Sequence, residues 1–125
     1  MLLAEDDPDI RSLVGTLLER WGYEVAAAAG GIDALELAAA RPPVLAIFDV
    51  GMPPPGGVTL TRAFKADEEL CDVPVILLTA HASDERTRAG MDAGAAGYVT
   101  KPFRAQALRK AIWSIVPTTS TEQAV

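Results

Sequence analysis

Short apolar runs alternate with amphipathic stretches along nearly the whole chain. The apolar runs are Met1 to Ala4, Tyr23 to Ala27, Val44 to Phe48, Val73 to Leu78 and Gly97 to Thr100. Runs this short, with acids, glycines or prolines near their ends, read as strands buried on both faces of a parallel sheet. Between them the period changes to that of a helix. Asp7 is placed to cap the first helix and Pro8 suits its first position. Ile10, Leu13, Val14, Leu17, Leu18 and Trp21 then share one face until Gly22 stops it. Ile32 to Ala40 predicts a second helix with Ile32, Leu35 and Ala39 on a common side, ended by Arg41-Pro42-Pro43. Met52 to Gly57 is a loop on its proline and glycine content, and Val58 to Lys65 a short third helix with Leu60 and Phe64 inward. Ser83 predicts the cap of a fourth helix, with Asp84 and Glu85 in its first turn and Gly94 at its end. Leu108, Ala111, Ile112 and Ile115 mark a last amphipathic helix.

Five strands alternating with five helices predict an α/β fold, a doubly wound parallel sheet with right-handed crossovers and helices on both faces. With 125 residues, half of them apolar, the chain suits one domain, expected over residues 1–117 and followed by a polar tail over residues 118–125. The formal charge of −6 argues against a sequence-independent grip on nucleic acid, which needs clustered Lys and Arg. A lone Cys71 makes no internal disulfide and reads as a small filler, and the start of the chain has neither the basic region nor the apolar length of a signal peptide. No apolar stretch approaches the roughly 20 residues that cross a bilayer. The expectation is a cytoplasmic protein without direct membrane contact.

The chemistry gathers at the carboxyl ends of the strands, where ligands bind in open parallel sheets. Glu5 and Asp6 follow the first run, Asp49 the third, Thr79 the fourth and Lys101 the fifth. Crowded carboxylates repel one another unless a cation lies among them, so this rim calls for a hard divalent metal. Asp49 beside such a metal is positioned to accept a phosphoryl group.

Taken together, Glu5-Asp6-Asp7-Pro8-Asp9-Ile10-Arg11, Asp49 with Met52-Pro53 and Gly57, Thr79-Ala80, and Gly97-Tyr98-Val99-Thr100-Lys101-Pro102-Phe103 resemble the receiver domain of two-component response regulators. The resemblance implies a flavodoxin-like sheet of order 2-1-3-4-5, with Asp6 and Asp49 on neighbouring strands. It further implies Mg²⁺ held by Asp6 and Asp49, by Glu5 through water and by the Gly51 carbonyl. Asp49 is then the nucleophile toward a phosphohistidine of a sensor histidine kinase or phosphotransfer protein, or toward a small acyl phosphate. Lys101 neutralises phosphoryl oxygens, and a cis bond before Pro102 would aim it into the pocket. Thr79 and Tyr98 carry the switch to the face of helix four, strand five and helix five. Such a protein catalyses its own phosphorylation and dephosphorylation, and works as a monomer or a phosphorylation-dependent dimer.

Simpler roles fit several of these residues singly. Asp7 and Asp9 suit a helix N-terminus, Thr79 a turn, Tyr98 a core position, and His81 an exposed loop near the pocket entrance. A haloacid-dehalogenase-like phosphatase also uses a strand-end Asp with Mg²⁺, but needs a second Asp two residues on, where this chain has Gly51. A nucleotide-binding reading lacks a glycine-rich phosphate loop after the first strand. Two departures from the receiver pattern are the Pro54-Pro55-Gly56-Gly57 loop and Ala95-Ala96 before Gly97. The second replaces the paired acids typical of receivers that drive winged-helix DNA-binding domains and argues against that output. A receiver forming part of a larger regulator with a DNA-binding or enzymatic output domain remains the alternative.

Overall fold

A computed structural model describes residues 1–116. In chain order its elements are β1 (Leu2–Ala4), α1 (Pro8–Arg20), β2 (Ala26–Ala28), α2 (Gly31–Ala40), β3 (Ala46–Asp49), α3 (Gly57–Ala66), β4 (Val75–Thr79), α4 (Glu85–Asp92), β5 (Gly97–Thr100) and α5 (Ala105–Ile115). The strands form one parallel sheet in the order β2-β1-β3-β4-β5. The winding therefore reverses between β1 and β3, as the flavodoxin-like order requires. The tail expected over residues 118–125 lies outside the described residues.

Alternation along the strands divides the core into two layers. Leu2, Ala4, Ala46, Phe48, Val75 and Leu77 face α2 and α3, where Phe48 meets Phe64 edge-on with ring centroids 5.1 Å apart. Leu3, Leu45, Ile47, Ile76 and Leu78 face α1 and α5, against Val14, Leu18, Leu108 and Ile112. Because successive strand residues point to opposite faces, both layers are apolar and the strands read as unbroken hydrophobic runs.

Local signals match the observed elements unevenly. Asp7 does cap α1, its carboxylate accepting from the N–H groups of Asp9 and Ile10. At the other end Gly22, at φ 95°, lets the N–H of Tyr23 reach the Leu18 carbonyl and its own N–H that of Glu19. That closing turn consumes Tyr23, so β2 is Ala26–Ala28 rather than Tyr23 to Ala27. Leu13 is exposed, because the buried stripe of α1 is centred on Val14 and Leu18. In α2 the buried positions are Gly31, Ala34 and Ala38: the two alanines pack in the layer over the sheet, Gly31 leaves room for Pro55 of the loop after β3, and Ile32 and Ala39 face outward. Val44 likewise stands outside β3 and is exposed. The cap of α4 is Asp84 rather than Ser83: the Asp84 carboxylate accepts from the Arg86 N–H. The peptide bonds before Pro55 and Pro102 are both cis.

Candidate functional site

Register places the acids. Ala4 of β1 lies opposite Phe48 of β3, so the residues that follow them, Glu5 just past β1 and Asp49 at the end of β3, come to the same level at the carboxyl rim of the sheet. Glu5 is completely buried and Asp49 nearly so, whereas Asp6 is exposed. One carboxylate oxygen from each of the three lies within 4.8 Å of the others. The Arg11 guanidinium pins the turn after β1 by donating to the Glu5 carbonyl at 2.9 Å.

Lys101 enters from β5. Its backbone N–H donates to the Thr79 carbonyl at 2.7 Å, and its ammonium lies 3.2 Å from Asp49 Oδ1 and 3.4 Å from Glu5 Oε1. Asp49 Oδ1 also accepts from the Gly51 N–H at 3.0 Å, and Glu5 Oε2 from the Asp7 N–H at 3.1 Å. These groups open onto a cleft of about 270 Å³ that is also lined by Asp6, Gly51, Ala80 and Arg86. A larger cleft of about 460 Å³ lies at the opposite, amino end of the strands, but its charged side chains, Glu24 and Arg41, pair with one another at 3.1 Å.

Proton positions follow from this packing. Burial, and then the hydrogen bond and charge of Asp49, push the Glu5 carboxyl up to about 7, against the opposing pull of the Asp7 N–H and Lys101. Burial also acts to raise Asp49, but the Glu5 carboxyl, the Gly51 N–H and Lys101 together outweigh it and hold Asp49 below the usual carboxylate range. Burial pulls the Lys101 ammonium down, and the charges of Asp49 and Glu5 more than reverse this. Of the two carboxyls, Glu5 is therefore the one that keeps a proton to the higher pH. An all-oxygen donor set this crowded fits a hard divalent cation, which would replace that proton as the charge that holds the acids together.

Five of the residues singled out by sequence, Glu5, Asp6, Asp49, Gly51 and Lys101, line this one cleft. Thr79 does not. It is fully buried at the end of β4, its hydroxyl donating to the His81 carbonyl at 3.0 Å and accepting from the Thr87 hydroxyl at 2.7 Å. Tyr98 is partly exposed and lines a separate cleft with Phe103 and Ala107. His81 is exposed in the loop after β4. Arg86 and Thr87 carry no comparable sequence signal, because neither belongs to a strand end; only the placement of α4 beside β4 brings them to the site.

Comparison with known proteins decides the family, since the sequence pattern of the response regulator receiver domain matches residues 1–113. This chain is a response regulator receiver domain. Among curated relatives, the receiver is 39% identical over 103 residues to the DNA-binding dual master transcriptional regulator RpaA of Synechocystis sp., covering 82% of this chain and 43% of that protein. It is 43% identical to the transcriptional regulatory protein CseB of Streptomyces avermitilis, with the same coverage. The receiver thus spans less than half the length of these relatives. Among solved structures it resembles the chemotaxis protein CheY4 of Vibrio cholerae, at 32% identity and a TM-score of 0.87, covering 92% of this chain and 96% of that one. It also resembles the receiver domain of the sensor histidine kinase PA1611 from Pseudomonas aeruginosa, at 30% identity and a TM-score of 0.86, covering 94% and 96%; a magnesium ion is coordinated in the active site cleft of that protein. No helix among the described residues is long and apolar enough to cross a membrane.

Proposed function

We propose that this receiver takes a phosphoryl group onto Asp49 from a sensor histidine kinase or phosphotransfer protein. The observation that carries the reading is a buried Asp49 with Lys101 3.2 Å away and one oxygen each of two further carboxylates within 4.8 Å, surroundings that hold its carboxyl below the usual range. An Asp49 oxygen attacks phosphorus as the bond from phosphorus to the donor's imidazole nitrogen breaks, its electrons returning to the ring, which then takes up a proton. Lys101 meets the phosphoryl oxygens as charge redistributes, the main service phosphoryl transfer needs from a protein. Asp6, Asp49 and the Gly51 carbonyl would hold Mg²⁺, with Glu5 acting through water. The ion supplies charge neutralisation at the transferring group. Attack by water on phosphorus later releases orthophosphate and restores Asp49.

The signal would pass through Thr79. Its hydroxyl is occupied by Thr87 and the His81 carbonyl, so reaching a phosphoryl oxygen requires it to leave these partners and move the loop before α4. Tyr98, on the adjoining strand, then has room to turn inward, and the α4, β5 and α5 face changes as a population shift between two packings. The length of the relatives supports a second layer to this reading: a receiver that governs an attached DNA-binding output, despite Ala95-Ala96. The haloacid-dehalogenase-like alternative is disfavoured by Gly51, which brings no carboxylate and donates its N–H to Asp49.

Incubation with acetyl phosphate and Mg²⁺ should add the mass of one phosphoryl group, and either Asp49→Ala or chelation of the metal should abolish the gain. Modification that survives Asp49→Ala would refute the assignment.

A further inference from the structure

The far wall of the cleft carries a second cation. Arg86, in the first turn of α4, has its Nε and one terminal nitrogen, Nη2, committed to the Asp84 carboxylate at 3.2 and 2.9 Å. The other terminal nitrogen, Nη1, reaches into the cleft, where it makes a long contact of 3.5 Å to the Val50 carbonyl. A Cβ built on Gly51 would lie 3.5 Å from Asp49 Oδ1 and 4.0 Å from Arg86 Nη1. A side chain at position 51 would thus touch both the acceptor carboxylate and the guanidinium, and glycine keeps this part of the cleft open. A phosphoryl group on Asp49 brings three oxygens that share its negative charge into the cleft, and since each can accept from more than one donor, Arg86 can add to what Lys101, Thr79 and a bound cation supply from their own sides.

We propose that Arg86 is a second phosphoryl-binding arm of the site, donating from Nη1 to an oxygen of the transferring group opposite Lys101. This rests on the phosphoryl-acceptor reading above. A guanidinium suits the task because it remains charged and offers several donors in a fixed fork, so one edge can face the cleft while another meets Asp84. Asp84 also tempers its charge. Since the Arg86 side chain is more than half exposed, its effect should be smaller than that of a fully enclosed donor.

The test is the rate of Asp49 modification by acetyl phosphate with Mg²⁺, measured by intact mass. Arg86→Gln should slow it roughly tenfold, Arg86→Lys should restore part of the rate, and Asp84→Asn should leave it unchanged or faster. Asparagine retains the helix cap while breaking the same ion pair. Equal slowing in Arg86→Gln and Asp84→Asn would mean that the pair merely holds the loop, and would overturn the proposal. So would a wild-type rate in Arg86→Gln. A wild-type protein that takes no phosphoryl group at all would instead refute the acceptor reading itself.

Discussion

Glu5 is the residue whose protonation state most constrains the site. Its carboxyl is raised to about 7 chiefly by burial, so below that pH it carries a proton that a cation bound at the site would displace. The affinity for Mg²⁺ should therefore rise between pH 6 and pH 8, by up to about tenfold per unit below the Glu5 value, and Glu5→Gln should flatten this rise. Isothermal titration at several pH values measures it; a pH-independent affinity in the unmodified protein would count against the displaced proton. Stability of the metal-free protein follows the same group. A carboxyl raised on folding stabilises fully below its ordinary value near 4.5 and loses that contribution as pH rises through about 7. Asp49 acts oppositely, its contribution being present above 3.8 and lost as pH falls below its depressed folded value. Urea unfolding in chelator should thus show declining stability from pH 5 to pH 7.5, and Glu5→Gln should remove most of the decline. The strand-end position of Glu5, Asp6, Asp49 and Lys101 could be read from sequence, since Glu5, Asp49 and Lys101 directly follow apolar runs and Asp6 comes one residue later. The division of labour between a buried Glu5 and an exposed Asp6 could not, because it depends on which side of β1 each faces.

The elements differ in how openly the sequence states them. Helix α1 has a cap, a proline at its start and a glycine at its end, and all three signals act locally, so its bounds were legible. The buried face of α2 was not: Ile32 is the more hydrophobic choice, yet Ala34 and Ala38 lie in the layer against the sheet and Gly31 makes room for Pro55 of the loop after β3, so the small residues are the covered ones. Helix α4 is the element coupled to the site, through Arg86 on its exposed side and Thr87 on its buried one. Thr87→Val keeps the shape but removes the hydroxyl that donates to Thr79. Thermal or urea unfolding should register a loss of about 1 kcal/mol, while modification of Asp49 by acetyl phosphate persists. A loss of modification would mean that Thr87 acts in the chemistry rather than in holding Thr79 at rest. Gly90 allows α4 to lie against β4, since a Cβ there would meet the Leu77 side chain at 2.5 Å.

The fold in its entirety is a means of bringing distant residues together. Asp49 and Lys101 are far apart in sequence and 3.2 Å apart in space, because β1, β3, β4 and β5 are consecutive neighbours in the sheet. This much followed from the alternation of elements combined with the family's strand order. What lay beyond sequence was the placement of loops against the rim, including the engagement of Thr79 away from the cleft. If Asp6 and Asp49 share one magnesium ion while Asp49 carries the phosphoryl group, a crystal structure with Mg²⁺ and beryllofluoride, a phosphoryl mimic, will show both at once. The expected result is metal–oxygen distances of roughly 2.0–2.1 Å to Asp6 and Asp49, with beryllium on Asp49 and Lys101 against a fluoride. Beryllofluoride bound elsewhere, or an ion held without Asp49, would rule out this arrangement.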